Sequence, residues 1–245
     1  MRYHICMTFH IISLFPNAFR SYLGKSIVKR AIEDKKIKVR FYNPRDFARN
    51  KYARVDRRAY GGGPGMVVQA EPVIRAVARA CSNVLPPTHK ATDGHRKNNR
   101  TTKKKAPKII WLSPRGKQFT NTAAIGYAKK YTDLIIICGR YEGIDARVKK
   151  VFRVEEVSVG PFVLTGGELA AEIIIDTVAR QVPEVLGDPD SREEARAASP
   201  DVYTRPRVFA YKGKKYRVPA ILLSGHHANI EKWRAKKVVK HTPLP

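Results

Sequence analysis

The run Leu134-Ile135-Ile136-Ile137-Cys138 constrains the fold of this chain more than any other stretch. Five apolar side chains in succession leave no polar face for water, so a strand built from them must be covered on both sides. Such a strand belongs in the middle of a parallel sheet with helices above and below it. Similar short runs, bounded by turns, occur at Phe9 to Phe15, Ile37 to Tyr42, Lys108 to Leu112, Asp133 to Cys138 and Arg153 to Ser158. Helical patterns lie between them. Pro16 to Asp34 opens with a proline suited to a first turn, and Glu71 to Cys81 and Gln118 to Lys130 follow. From Glu168 to Val182 the residues Leu169, Ile173, Ile174, Val178 and Val182 recur at helical spacing, which predicts a helix packed on the sheet. The expected class is α/β, with a mostly parallel sheet and helices on both faces.

Two segments depart from this alternation. Residues 86 to 108 hold eight Lys/Arg and one acid with almost nothing to bury, and read as a flexible basic loop. Residues 187 to 206 are polar, contain three prolines and read as a linker. They divide an α/β part, residues 1 to 186, from a basic C-terminal part, residues 207 to 245. In that last part Ala228 to Lys240 predicts a helix, with Trp233 on one face and Lys232, Arg234, Lys236 and Lys237 largely on others. A small helical C-terminal domain is expected.

The formal charge is 48 − 21 = +27. Self-repulsion on that scale makes a polyanionic partner the economical reading, nucleic acid first and an anionic membrane surface second. No apolar run reaches the roughly 18 to 20 residues of a membrane span, and MRYHICMTFHIISLF lacks the pattern of a signal peptide. A cytoplasmic protein without a membrane partner is expected. Cys6, Cys81 and Cys138 are odd in number and show no CxxC spacing, which excludes a disulfide framework and a zinc finger. His226 and His227 are adjacent, lack the i, i+4 spacing of a helical metal site, and read as packing or RNA-contact residues; no metal site is expected.

Three glycine turns stand out: Gly61 to Gly65 (GGGPG), Gly139 to Gly143 (GRYEG) and Gly160 to Glu168 (GPFVLTGGE). None is GxxxxGK[ST] or GxGxxG, so neither a P-loop ATPase nor an ordinary dinucleotide fold has support. Gly139 follows the LIIIC strand at its carboxyl end, where open α/β sheets bind ligands. The alternative for any one of these turns is a tight connection with no ligand.

Several motifs, in order, resemble a known family: ISLFP (Ile12 to Pro16), PRDF (Pro44 to Phe47), YGGGPGM (Tyr60 to Met66), LSP (Leu112 to Pro114), CGRYEGID (Cys138 to Asp145), LTGGEL (Leu164 to Leu169), VLG (Val185 to Gly187), YTRP (Tyr203 to Pro206), and Leu222 to His227. That family is bacterial TrmD, the tRNA (guanine-N1)-methyltransferases of the SPOUT superfamily. The resemblance implies a sheet with a deep trefoil knot, a rare exception to unthreaded connections. It also implies S-adenosyl-L-methionine held in the knot by three loops, a homodimer, and a tRNA substrate bound through its anticodon stem-loop. The expected target is N1 of the guanosine immediately 3′ of the anticodon.

Carried over motif by motif, the cofactor-binding residues are Leu112, Ser113 and Pro114 in the first loop, and Gly139 and Glu142 in the second. The third loop supplies Val159, Gly160, Pro161, Phe162, Val163, Leu164, Gly166 and Gly167. Pro161 stands where the family pattern leads one to expect an acid. The family's general base is the aspartate of a D-S pair, which implies Asp190 here, with Asp188, Glu193 and Glu194 as rivals. Arg180 matches the arginine that stabilises charge developing on guanine O6, in some members together with Mg²⁺; its alternative is an ion pair with Asp176. Glu142 is the third residue placed in the chemistry, as an acceptor, and otherwise caps a helix. Trp233 and Tyr203 are either stacking surfaces or buried within the C-terminal domain.

The excess charge then divides by task, with the loop, net 8 − 1 = +7, and the C-terminal helix attracting phosphate. Neutralising the loop lysines and arginines is expected to raise KM for RNA more than it lowers kcat, and to flatten the salt dependence of binding. Steady-state kinetics over a salt series read both quantities.

Overall fold

The computed structural model describes residues 6–85, 106–187 and 201–238. Residues 1–185 and 186–245 form two compact units.

In the first unit the chain runs through β1 (Met7–Ile12), a 3-10 turn at Pro16–Phe19, α1 (Arg20–Leu23), α2 (Ser26–Glu33) and β2 (Ile37–Tyr42). It continues through a 3-10 turn at Pro44–Phe47, β3 (Asp56–Arg57), β4 (Val67–Val68) and α3 (Ala70–Val84). After residue 105 come β5 (Lys108–Gln118), α4 (Asn121–Lys130), β6 (Asp133–Ile137), α5 (Val148–Val151), β7 (Glu155–Ser158) and α6 (Glu168–Ala179). The second unit holds a hairpin, β8 (Val208–Tyr211) and β9 (Lys214–Arg217), then a 3-10 turn at Ala220–Leu223 and α7 (His227–Val238).

The main sheet has the order β2-β1-β6-β5-β7, and every pairing in it is parallel. All five β6 residues are buried, as the LIIIC run requires. Alternation along β6 divides the core. Leu134 and Ile136 join Phe9, Ile11 and Ile110 under α2, α4 and α6, while Ile135 and Ile137 join Ile109, Trp111 and Val77 under α3. Both faces are thereby covered. On the second side a buried polar chain crosses the core: Asp133 Oδ1 lies 3.1 Å from His10 Nε2, and His10 Nδ1 lies 2.9 Å from the Tyr42 hydroxyl, which accepts from Asn83 Nδ2 at 2.9 Å. Each ring nitrogen has a partner, which is what makes a buried imidazole tolerable.

Three expectations need correction. The helical pattern from Pro16 to Asp34 is not one helix, because Lys25 is extended and Ser26 takes φ +49°, so the chain breaks after Gly24. In α6, Leu169 and Ile173 do not pack on the sheet: they are 58% and 43% exposed, and Ala170, Ala171, Ile174, Ile175 and Val178 make the buried face. The helix is apolar on more than the side that meets its own core. The C-terminal unit, expected to be helical, also carries the β8–β9 hairpin.

Candidate active site

Because the strands are parallel, the segments after β6 and β7 and the outer part of β5 gather at one edge of the sheet. They enclose a cleft of about 620 Å³, within the range of small-molecule sites. The first wall comes from a register break in β5. Leu112 and Lys117 both pair with Val157, so Ser113 to Gly116 bulge out of the ladder. A Cβ at Gly116 would collide with the backbone of Glu156 and Val157, so only glycine lets the strand return.

The second wall is the loop after β6. Tyr141 sits there at φ +59°, a backbone conformation rarely adopted by bulky residues. The GGGPG turn supports this loop: Glu142 N–H donates to Met66 C=O at 3.0 Å, and Val68 N–H donates to Gly143 C=O at 3.0 Å. A Cβ on Gly65 would lie 2.7 Å from Glu142 Oε1, so the glycine makes room for that carboxylate.

The third wall runs from Val159 to Gly167. Gly167 N–H donates to Gly139 C=O at 2.9 Å, and its missing Cβ would lie 2.7 Å from Cys138 Cα. Beneath these walls lies a buried carboxylate. Glu168, 4% exposed at the start of α6, accepts from Ser13 Oγ at 2.8 Å and pairs with Arg140 Nε at 2.9 Å. The Arg140 guanidinium also lies 4.6 Å from the Phe15 ring centroid, and Phe15 N–H donates to Ser13 Oγ at 2.9 Å. Gly166 must lack a Cβ for the Arg140 side chain to pass. The ISLFP, GRYEG and LTGGE motifs are thus one interlocked unit.

Of the residues named from sequence, Leu112, Ser113, Pro114, Gly139, Glu142, Val159, Phe162, Val163, Leu164, Gly166 and Gly167 all line the cleft. Gly160 and Pro161 do not; Gly160 lies beneath the Phe162 ring, where a Cβ would strike it. Asp190, Asp188, Glu193 and Glu194 lie outside the described residues, as do residues 86–105 of the basic stretch. Arg180 lies elsewhere. It follows the last turn of α6, a helix of twelve residues whose first turn borders the cleft, so it stands about 18 Å along the axis from that end.

Sequence reasoning missed Trp111, Arg115, Arg140, Tyr141, Thr165 and Lys149, which also line the cleft. Arg140 and Tyr141 lay inside a quoted motif, yet nothing local revealed the partner of Arg140. Lys149 Nζ sits 5.4 Å from the Trp111 ring centroid and 2.8 Å from Glu156 Oε1.

Electrostatics narrow the roles. Hydrogen bonds from the Arg147 side chain hold the Asp145 carboxyl below its usual range, which makes it a weaker proton acceptor than an unpaired carboxylate. Burial pushes the Cys138 thiol well above its ordinary value, with the Glu168 carboxylate adding to the effect, so Cys138 is no nucleophile. Among the described residues no three His, Cys, Asp or Glu side chains group as a metal site, and no helix is long and apolar enough to cross a membrane. Tyr203 and Trp233 contact each other in the second unit, with ring centroids 6.5 Å apart.

A family model described as tRNA (Guanine-1)-methyltransferase TrmD matches residues 7–244. A protein of Clostridioides difficile (strain 630) called tRNA (guanine-N(1)-)-methyltransferase is 39% identical over 240 residues, 96% of this chain and 94% of its own. Proteins with the same name from Geobacter metallireducens and Dictyoglomus turgidum are 41% and 42% identical over 242 and 238 residues. Each alignment covers 96% of this chain, and 88% and 86% of those relatives respectively.

Removing the Glu168 carboxylate would take away the ion-pair partner of Arg140, whose side chain is 26% exposed and keeps its contacts with Phe15 and Thr165. Glu168→Ala is expected to cost about 1–3 kcal/mol, less than the penalty for breaking a fully buried pair. Urea denaturation of the variant against the parent measures it, and Glu168→Gln should lose less because it still accepts from Ser13.

Proposed function

The chain belongs to the TrmD tRNA (guanine-1)-methyltransferase family, and we propose that it methylates N1 of the guanosine immediately 3′ of the anticodon in tRNA, with S-adenosyl-L-methionine as donor. The observation that carries this reading is the cleft itself. Two of its walls place main chain beside the cavity at Gly139 and Gly166, where a bent nucleoside can approach without meeting a side chain. When bound there, the donor supplies an electrophilic methyl group on a sulfonium.

The chain's own residues do the rest. Leu112 to Pro114, Gly139 and Val159 to Gly167 hold the nucleoside, with Gly160 and Pro161 shaping the third loop beneath Phe162. Glu142 accepts from polar groups at the mouth of the cleft. Guanine N1 is mostly protonated at neutral pH, so Asp190 takes the N1 proton as the new N–CH₃ bond forms. Arg180 stabilises the negative charge that moves onto O6 in that transition state, where a fixed cation is most useful.

The reading includes a homodimer. Two observations favour it. Arg180 lies at the far end of α6 from its own cleft, so it acts in the cleft of a second copy. The outward side of α6 is largely apolar as well: Tyr22, Phe162, Leu164, Leu169 and Ile173 border a groove of about 450 Å³ together with Glu172, Asp176 and Thr177, a feature that marks an interaction surface. The reading includes the deep trefoil knot that the resemblance implies. We assign residues 187–206 to the linker carrying the base and 207–245 to a small, basic RNA-binding domain, in a cytoplasmic enzyme that meets tRNA through its anticodon stem-loop.

Labelled methyl donor and unmodified tRNA with guanosine after the anticodon test the reaction: label should map to N1 of that guanosine, and its absence there sinks the reading. Asp190→Ala should keep tRNA binding and lower kcat by about 10² to 10⁴; persistent activity would move the base to Glu193 or Glu194. Mixing inactive Arg180→Ala with inactive Glu142→Ala subunits should restore about a quarter of full activity, since half the dimers then hold one intact site of two. No recovery after subunit exchange would place Arg180 in its own subunit's cleft.

A further inference from the structure

Every residue of the β8–β9 hairpin is exposed. Its two faces are nevertheless unlike each other. Phe209 pairs with Tyr216 and Tyr211 with Lys214, and by alternation these four share one side. Val208, Ala210, Lys215 and Arg217 share the other. On the first side the rings of Phe209 and Tyr216 are stacked, with centroids 5.1 Å apart and planes at 14°. Lys212 Nζ lies 5.4 Å from the Tyr211 ring centroid, and Lys214 Nζ lies 5.6 Å from that of Tyr216.

One role for such aromatics is to hold a hairpin together, and the Phe209–Tyr216 pair does so. Tyr211 does not fit that role. It sits at the end of β8 opposite Lys214, makes no aromatic pair across the strands, and remains 59% exposed, with Phe209 at 55%. Three rings on one side of a thin ribbon leave edges and outer faces open to solvent, with Lys212 and Lys214 beside them. From Arg205 to Arg217 the chain carries six Lys/Arg and no carboxylate. Flat rings beside cations are the chemistry that takes up single-stranded nucleic acid, whose bases stack while its phosphates meet the charges. A base-paired stem hides its bases and would use only the charges.

We propose that the Phe209, Tyr211 and Tyr216 face is a stacking platform for unpaired nucleobases, with Lys212 and Lys214 on the adjoining phosphates. The inference rests on the reading that this chain acts on RNA, and adds which part of the RNA is grasped and by which residues.

Fluorescence anisotropy of the full-length protein with a labelled single-stranded RNA and with a duplex of equal length tests it. Phe209→Ala and Tyr211→Ala should each weaken single-strand binding about fivefold or more, leave duplex binding nearly unchanged, and keep the salt slope. Phe209→Trp should retain binding. Lys214→Gln should instead weaken both and lower the salt slope by about one for a lost phosphate contact. Ultraviolet crosslinking of the parent protein to RNA avoids any effect of substitution on folding, and the crosslinked peptide should contain residues of 208–217. Equal loss of both RNAs by the Ala variants, no loss by either, or crosslinks confined to other peptides would overturn the proposal. So would a change in oligomeric state on Tyr211→Ala, which makes the face a protein contact, or hairpin-dependent binding to phosphatidylserine vesicles in place of RNA. With tRNA as substrate, KM should rise by more than kcat falls. If the parent methylates tRNA but hairpin variants leave KM untouched, the platform falls and the reaction stands; if the parent binds single strands through the hairpin but methylates nothing, the reverse holds.

Discussion

The carboxylate of Glu168 is held under the cleft by Ser13 and Arg140, and the shape of the cleft depends on that arrangement. A charge taken out of water is costly unless it is paired and hydrogen-bonded. Here the partners come from the end of β1 and the loop after β6, both far from Glu168 in sequence. Satisfying one carboxylate therefore fixes three segments relative to one another. The glycines at 166 and 167 follow from this closeness, since any side chain would push Arg140 or Cys138 away. The loop positions that line the cleft are set by a contact beneath them.

What the sequence revealed depended on whether its signal was local. LIIIC reads as a doubly covered strand because burial on both faces leaves its mark on consecutive residues, and all five β6 residues are buried. The break after Gly24 was invisible to periodicity, since the apolar spacing continues through Ser26 while the backbone does not. The hairpin escaped notice for the opposite reason: with every residue exposed it has no apolar side facing a core, and its turn uses Lys212 and Gly213 at positive φ rather than the familiar Asn-Gly. Arg140 could be named from its motif but not understood, because its partner lies 28 residues downstream. Leu169 and Ile173 carried the right spacing for a helix and the wrong inference about what they face.

The positive charge also takes on a clearer division. Some of it is structural: Arg140 serves Glu168, Arg147 serves Asp145, and Lys149 lies between Trp111 and Glu156. These cations are already engaged and add little to long-range attraction. The hairpin is different. Lys212 and Lys214 lie beside the Tyr211 and Tyr216 rings, and among the described residues no carboxylate pairs with them, so their field remains directed outward. Net charge thus names a partner class, and the local company of each cation tells which ones meet it.

The parallel sheet has a consequence for how the molecule comes into being. Thr8 of β1 pairs with Asp133 of β6, a separation of 133 − 8 = 125 residues. β1 and β2 can meet early in synthesis, but the other edge of β1 has no partner until β6 has left the ribosome. At roughly 5–20 residues per second, that edge waits about 6–25 s. During that interval Phe9, Ile11 and Ile12 sit beside an unpaired ladder, the situation in which strands find the wrong neighbour. The central strand that makes the finished sheet secure is therefore also the one whose late arrival leaves the nascent chain most in need of protection.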